Sequence, residues 1–258
     1  MAGSRSQIKE YIDMDTVEYG RENKDIVMLL HGGGLSWWNY KEVAELLCDR
    51  YHVILPILDG HGGSSRQFVS IEENAAALLE YIDTHHGGQV HLIGGLSLGG
   101  QILIEMLSRR PSVCDYAIIE SANLRPSVLT GHLVKPMVDM SFGMIRRKWF
   151  AKIQFQYLKI KAELFADYYA DTCKITNQDM TAFMKASVTY SCPDAIGQTT
   201  AKVSVVVGAK EQQGMIKSAE KLHKTIPESI LLVKEDLYHG EFSLNHPQEY
   251  AEYIRSLD

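Results

Sequence analysis

A serine enclosed by glycines follows a short apolar run and is the residue of this chain best placed to do chemistry. Residues 94–100 read GGLSLGG and come directly after the mainly apolar run VHLI at residues 90–93. The pattern predicts a strand before Ser97 and a helix after it, with Ser97 in a G-x-S-x-G turn that projects its hydroxyl beyond the end of the sheet. This context favours a nucleophile over the alternative, a glycine-rich turn that contains a serine by chance.

A serine hydroxyl is a poor nucleophile at neutral pH and needs a base within hydrogen-bond reach. Among the ten histidines, His239 is favoured because it follows the last predicted strand and because imidazole suits proton transfer near pH 7. His31 and His61 lie in glycine-rich turns, and we interpret them as structural residues that bind loop backbone. No pair of histidines has the spacing of metal ligands, and the sequence predicts neither a metal site nor a cofactor.

The base in turn needs an acid to orient it, and two glutamates follow predicted strands. Glu211 comes after the strand at residues 202–207, and Glu120 follows the strand at residues 115–119. Glu211 is favoured because the chain order is then serine, acid, histidine, with the acid one strand before the histidine. Glu120 stays the alternative, since it could reach the same imidazole.

Two backbone amides are the expected donors to an oxyanion. One belongs to Leu98, directly after the serine, and the other to Gly33 in the HGGG turn at residues 31–34. A glycine at position 33 leaves no side chain between its amide and a substrate. The glycine run would alternatively suit a phosphate, but the nucleotide-binding patterns GxxxxGK[ST] and GxGxxG do not occur there.

Apolar runs that alternate with helical patterns place these residues on an α/β fold. The sequence predicts a mostly parallel central sheet flanked by helices, because such sheets are covered on both faces. The carboxyl ends of parallel strands meet at one edge, where functional loops gather. The predicted strands are residues 25–30, 51–58, 90–93, 115–119, 202–207 and 230–233, with a short antiparallel pair at 8–14 and 16–19.

One long stretch lacks strand patterns. From residue 125 to residue 200 the periodicity predicts helices only, over residues 133–145, 148–169 and 178–188. We expect this insertion to form a helical cap over the functional edge, with the α/β core at residues 1–124 and 201–258. The alternative is an extended helical layer.

The composition of the chain limits the classes of partner that the protein is expected to bind. The net charge of −6 argues against a nucleic-acid binder. No apolar run approaches the length of a membrane span, and the polar start of the chain does not resemble a secretory signal, so no integral membrane association is expected. The four cysteines are far apart and indicate a reduced, cytoplasmic protein. The oligomeric state is not predicted.

Together these landmarks resemble the α/β-hydrolase superfamily, and in particular its small, lid-bearing serine esterases and lipase-like members. The turn at residues 31–34 resembles their oxyanion loop, Ser97 their nucleophile, Glu211 their acid and His239 their base. Most relatives have aspartate where this chain has Glu211, and histidine is common where it has Leu96. The serine nucleophile is unlike that of relatives that use aspartate.

The resemblance implies a serine hydrolase that cleaves a small or medium carboxylic ester or thioester through an acyl-enzyme on Ser97. The alternatives are a C–C bond hydrolase or lyase with the same triad, and a non-catalytic binding or regulatory protein. Arg146, Arg147 and Lys148 beside Trp149 would suit an anionic substrate or a lipid surface, although a solvated helix face is the simpler interpretation. Candidate apolar pocket residues are Trp37, Trp38, Met137, Met140, Phe142 and Met144.

Overall fold

A mostly parallel sheet forms the centre of the molecule. The structure is a computed structural model that describes residues 14–257. In the described part of the chain the strands have the order β1-β3-β2-β4-β5-β6-β7, and only β1 is antiparallel to its neighbour. They are β1 (Thr16–Tyr19), β2 (Ile26–Leu30), β3 (His52–Pro56), β4 (Val90–Leu96), β5 (Cys114–Glu120), β6 (Lys202–Gly208) and β7 (Ile230–Lys234).

Helices cover both faces of the sheet, which confirms the predicted fold class. One apolar core includes side chains of α2, α3 and α8, and the core on the opposite face includes side chains of α1 and α10. The helices are α1 (Lys41–Leu47), α2 (Ile71–His86), α3 (Leu98–Arg109), α4 (Val128–Ile145), α5 (Lys148–Tyr157), α6 (Phe165–Thr172), α7 (Asn177–Thr189), α8 (Gln213–Thr225), α9 (Glu241–Asn245) and α10 (Pro247–Arg255). Within residues 14–257, no helix combines the length and apolarity needed to cross a membrane.

The first strand pairs with a distant segment. Thr16 lies beside Pro56, so β1 adds to the sheet through β3. The predicted partner of this strand, residues 8–14, lies outside the described residues apart from Met14. Its pairing therefore stays a prediction.

The stretch between β5 and β6 is a helical insertion made of α4 to α7 and two short 3-10 helices. The prediction of a single helix over residues 148–169 is wrong, because α5 ends at Tyr157. Two residues later, Lys159 has a left-handed backbone conformation with φ of 58°. A distant side chain holds this break. Asn245 Nδ2 donates to the Lys159 carbonyl at 2.7 Å, and its Oδ1 accepts from the Lys161 amide at 3.0 Å.

Candidate functional site

Ser97 occupies the turn between β4 and α3, as the sequence predicts. Its φ of 53° and ψ of −108° are unfavourable for a residue with a side chain. Two backbone hydrogen bonds hold it there: the Ser97 amide donates to the Glu120 carbonyl at 2.8 Å, and its carbonyl accepts from the Gln101 amide at 3.0 Å. The turn places Ser97 at the carboxyl end of a central strand and at the N-terminus of a helix.

The glycines on either side of Ser97 are required because the backbone of α3 comes close to the ends of β2 and β4 at this turn. A Cβ built on Gly99 would collide with the carbonyl oxygen of Leu30, at the end of β2. A Cβ on Gly95 would lie 2.5 Å from the Gly99 carbonyl oxygen. Any larger residue would push α3 away from the sheet, so these two glycines let the sharp turn form.

His239 and Glu211 form a directly hydrogen-bonded pair. Nδ1 of His239 lies 2.8 Å from Oε2 of Glu211. Oε1 of Glu211 accepts from the Ser121 hydroxyl at 2.7 Å and from the Gly208 amide at 2.8 Å. Burial raises the pKa of the Glu211 carboxyl, but these hydrogen bonds and the nearby imidazole outweigh it and the pKa is lowered. An ionised carboxylate only accepts, so Nδ1 carries the proton and Nε2 is left to take one.

The histidine loop lies against the serine turn. Gly240, directly after His239, has φ of 72°, and a Cβ on it would be 3.0 Å from Cδ1 of Leu96. Leu96 directly precedes Ser97. The contact between these neighbours brings the imidazole loop and the serine turn together, with Leu96 packed behind both.

Glu120, the alternative acid, lies elsewhere in the same region. Its Oε1 accepts from the Ser243 amide at 3.3 Å, at the start of the helix that follows the histidine loop. Burial raises the pKa of Glu120 to about 7, although hydrogen bonds from Ser243 act to lower it. The structure therefore brings Glu211 to the imidazole and Glu120 to the backbone behind it.

The two predicted oxyanion donors lie on adjoining turns. A Cβ on Gly33 would lie 3.5 Å from Cβ of Leu98, at ordinary van der Waals distance. The turn after β2 and the N-terminus of α3 therefore meet at this point. Backbone amides at such a meeting of a loop and a helix N-terminus suit a developing negative charge.

His31 holds the glycine turn in place. Its Nε2 accepts from the Leu58 amide at 3.1 Å, so Nδ1 carries the proton and donates to the Gly32 carbonyl at 2.9 Å. Burial, with a smaller contribution from His61, keeps the pKa of His31 well below its usual range. The Gly32 amide donates to Asn39 Oδ1 at 3.2 Å. The structural interpretation of His31 is confirmed.

A cavity of about 450 Å³ extends from the glycine turn into the helical insertion. Met137 and Met140 line it, as expected, but Trp37, Trp38, Phe142 and Met144 are not among its lining residues. Trp38 is buried and its indole N–H donates to Asp171 Oδ2 at 3.0 Å, so it fixes α6 to the core. The lining residues are Gly33, Gly34, Leu35, Met137, Val138, Met140, Ser141, Ile145, Gln154, Leu158, Tyr168, Thr172, Ile175, Met180, Phe183 and Met184.

Sequence reasoning missed the residues that hold the Glu211 carboxylate. Ser121 donates to Glu211 across 90 residues of chain, and it has φ of 54° directly after β5. A serine after a strand carries no pattern that would identify this role. Among residues 14–257, no three His, Cys, Asp or Glu side chains are grouped so as to hold a metal ion.

The sequence model of the Alpha/beta hydrolase family matches residues 27–253. A curated AB hydrolase superfamily protein of Gibberella zeae is 28% identical over 146 residues, or 54% of this chain, and the match spans 50% of that relative.

Solved structures agree in fold. An esterase from Exiguobacterium antarcticum superposes with a TM-score of 0.79 at 19% identity, covering 95% of this chain and 94% of that chain. The enol-lactonase from Burkholderia xenovorans LB400 superposes with a TM-score of 0.78 at 13% identity, covering 94% of this chain and 95% of the other. Because the family model matches nearly the whole α/β core and the insertion, this chain belongs to the alpha/beta hydrolase family.

Proposed function

We propose that this hydrolase is a serine hydrolase that cleaves a carboxylic ester or thioester of small or medium size. The observation that carries the proposal is the 2.8 Å hydrogen bond between Glu211 and His239 in a loop packed against the Ser97 turn. A hydroxyl, a base and an orienting acid on neighbouring loops are the parts that acyl transfer needs.

In the proposed mechanism, Ser97 Oγ attacks the acyl carbonyl while His239 Nε2 takes its proton. The amides of Gly33 and Leu98 stabilise the oxyanion of the tetrahedral intermediate. His239 then gives the proton to the departing alcohol or thiol, which leaves an acyl group on Ser97. Water, deprotonated by the same imidazole, attacks the acyl-enzyme; the acyl–Oγ bond breaks, the carboxylic acid leaves, and the imidazole returns the proton to Ser97 Oγ. Throughout, the Glu211 carboxylate accepts the hydrogen bond from Nδ1–H of His239 and stabilises the imidazolium when it forms.

The cavity supports an apolar acyl group as the bound part of the substrate. Its lining is dominated by methionine and other apolar side chains, and Gly33 connects it to the proposed oxyanion site. A space of about 450 Å³ is within the usual range for a small-molecule site. We propose that residues 125–200 act as a cap over this space.

Reaction with a fluorophosphonate, followed by intact-mass measurement, tests the proposal. We expect one adduct on the parent protein and none on Ser97→Ala, because only an activated serine reacts at a useful rate. A folded parent protein that forms no adduct would contradict the nucleophile assignment and favour a non-catalytic binding protein.

A substrate comparison then tests the bond that is cleaved. Esters and thioesters of increasing acyl length are compared with β-diketones. Hydrolysis of β-diketones alone would replace the ester assignment by C–C bond hydrolysis with the same residues.

A further inference from the structure

Exposed large apolar side chains are concentrated in one part of the helical insertion. Of the 16 such side chains in the described residues, 10 lie within residues 128–158. They are Val128, Leu129, Leu133, Met137, Met140, Met144, Trp149, Ile153, Tyr157 and Leu158. Exposed apolar side chains concentrated in one segment in this way point to an interaction site.

The exposed side chains of α4 follow a helical stripe. Their positions are 129, 133, 137, 140 and 144, with spacings of three and four residues that place them on one side of the helix. A second stripe on α4 is buried and attaches the helix to the rest of the molecule; it consists of Gly131, Val134, Val138 and Ile145. Packing of α4 therefore accounts for one apolar stripe and leaves the other facing solvent.

Helix α5 repeats the arrangement. Ala151 and Phe155 are buried, whereas Trp149, Ile153 and Tyr157 are exposed at a spacing of four residues. Tyr157 is 80% exposed and Trp149 is 61% exposed. We use the name α4–α5 face for the exposed side chains of residues 128–159.

The charge of this segment is opposite to that of the whole chain. Residues 128–159 contain six basic residues and one acidic residue, giving a net charge of 6 − 1 = +5, whereas the whole chain has −6. The acid, Asp139, is itself paired with Lys135 at 2.7 Å. The basic residues are Lys135, Arg146, Arg147, Lys148, Lys152 and Lys159.

We propose that the α4–α5 face docks on an anionic phospholipid surface. Apolar stripes flanked by lysine and arginine are the composition that lies in a membrane interface, with the apolar side chains at the acyl boundary and the cations on the phosphates. A tryptophan next to three consecutive basic residues, 146–148, fits the same boundary. Such a surface would repel the acidic remainder of the protein. This repulsion would orient the molecule with the α4–α5 face toward the lipid.

Part of the α4–α5 face also borders the cavity. Met137, Met140 and Leu158 line the cavity, and they are 55%, 76% and 40% exposed. A molecule docked through the α4–α5 face would therefore bring this side of the cavity to the lipid. On the basis of the proposed function, this assigns the substrate to apolar acyl esters that partition into membranes.

Vesicle flotation with the full chain tests the docking surface. We expect the parent protein to float with phosphatidylcholine vesicles that contain phosphatidylglycerol, and to bind pure phosphatidylcholine at least about tenfold less. Arg147→Gln and Lys148→Gln should each weaken vesicle binding about fivefold. Added salt should also weaken binding of the parent protein, because it screens the attraction between the cations and the lipid phosphates. Trp149→Glu should abolish flotation, because it places a charge in the apolar boundary.

Val69→Glu is the matched control, since Val69 is 71% exposed and outside the face. It should bind as the parent protein does. Ser97→Ala should also bind normally, so a failure of the proposed catalysis would not remove vesicle binding. Trp149→Glu should keep its thermal stability and its rate on a short water-soluble ester, because Trp149 is exposed and does not line the cavity.

Absence of binding to the anionic vesicles would overturn the proposal, as would an equal loss in Val69→Glu. Sedimentation velocity gives the other decisive outcome. A dimer that Trp149→Glu dissociates would assign the face to a second copy of this chain instead of a membrane.

Discussion

Glu211 holds His239 through one carboxylate oxygen while its other oxygen is held by the fold. Oε2 lies 2.8 Å from Nδ1 of the imidazole, and Oε1 accepts from Ser121 and from the Gly208 amide. The longer side chain of glutamate is thus fixed at both oxygens, which compensates for its extra rotatable bond relative to aspartate. In the proposed mechanism, Glu211 would therefore orient the imidazole without being free to move.

Replacing Glu211 by glutamine is expected to lower kcat/KM by about 10²–10⁴-fold. The amide can present its NH2 group to Nδ1, which favours the wrong imidazole tautomer and removes the charge that stabilises imidazolium. Steady-state kinetics on the best ester measures the loss. The matched variant Glu120→Gln should stay within about tenfold of the parent protein, because Glu120 contacts the Ser243 amide. The reverse order would transfer the role of acid to Glu120.

Glu120 should also give the protein a distinct dependence of stability on pH. Burial raises its pKa from 4.5 to about 7, so the folded state favours the protonated carboxyl. The stabilising contribution is complete below pH 4.5 and is lost as the pH rises through about 7. Urea unfolding measures this effect. Between pH 5 and pH 8, the free energy of unfolding of Glu120→Gln should rise relative to that of the parent protein by about 3 kcal/mol. A difference that does not change with pH would contradict the burial argument.

Two glycine substitutions should separate fold from function. Gly99→Ala should unfold the protein or strongly lower its melting temperature, because the added Cβ meets the Leu30 carbonyl oxygen. Gly33→Ala should fold normally, since its Cβ would lie 3.5 Å from Leu98. It should still lower kcat, because the methyl group enters the proposed oxyanion site. Thermal melting and kinetics on the same preparations measure both effects, and a stable Gly99→Ala would show that α3 can shift.

Trp38 should anchor the insertion to the core. Trp38→Phe removes the hydrogen bond to buried Asp171 and part of a buried ring, and should lower the free energy of unfolding by about 2–4 kcal/mol. Trp37→Phe is the control, because Trp37 is only partly buried. Urea titration compares the two variants, and equal losses would argue against a specific role for the Asp171 contact.

Local patterns predicted much of this architecture because the features concerned depend only on residues that are close together in the sequence. Alternating apolar runs predicted the parallel sheet, and the glycines around Ser97 predicted the turn that Gly95 and Gly99 make possible. The start of α2 is equally local, since the Glu73 amide donates to the hydroxyl of Ser70, three residues earlier, at 3.1 Å. Such features need no knowledge of distant parts of the chain.

The features that sequence reasoning missed depend on contacts between distant residues. The break after α5 is held by Asn245, 86 residues beyond Lys159. Trp38 was a candidate pocket residue, but Asp171, 133 residues away, binds its indole. Periodicity contains no information about such partners, so it extended the helix too far and placed the tryptophan in the wrong role.

The position of β4 in the middle of the sheet has a consequence for how the protein opens. Hydrogen-bonded neighbours lie on both sides of this strand, so its backbone amides should exchange with deuterium only when the whole molecule unfolds. Amides of α4 and α5, with one face in solvent, should exchange through much smaller openings. Rising denaturant would then open the cavity lined by α4 while the strand that precedes Ser97 is still intact. The proposed activity would then be lost before the folded core unfolds.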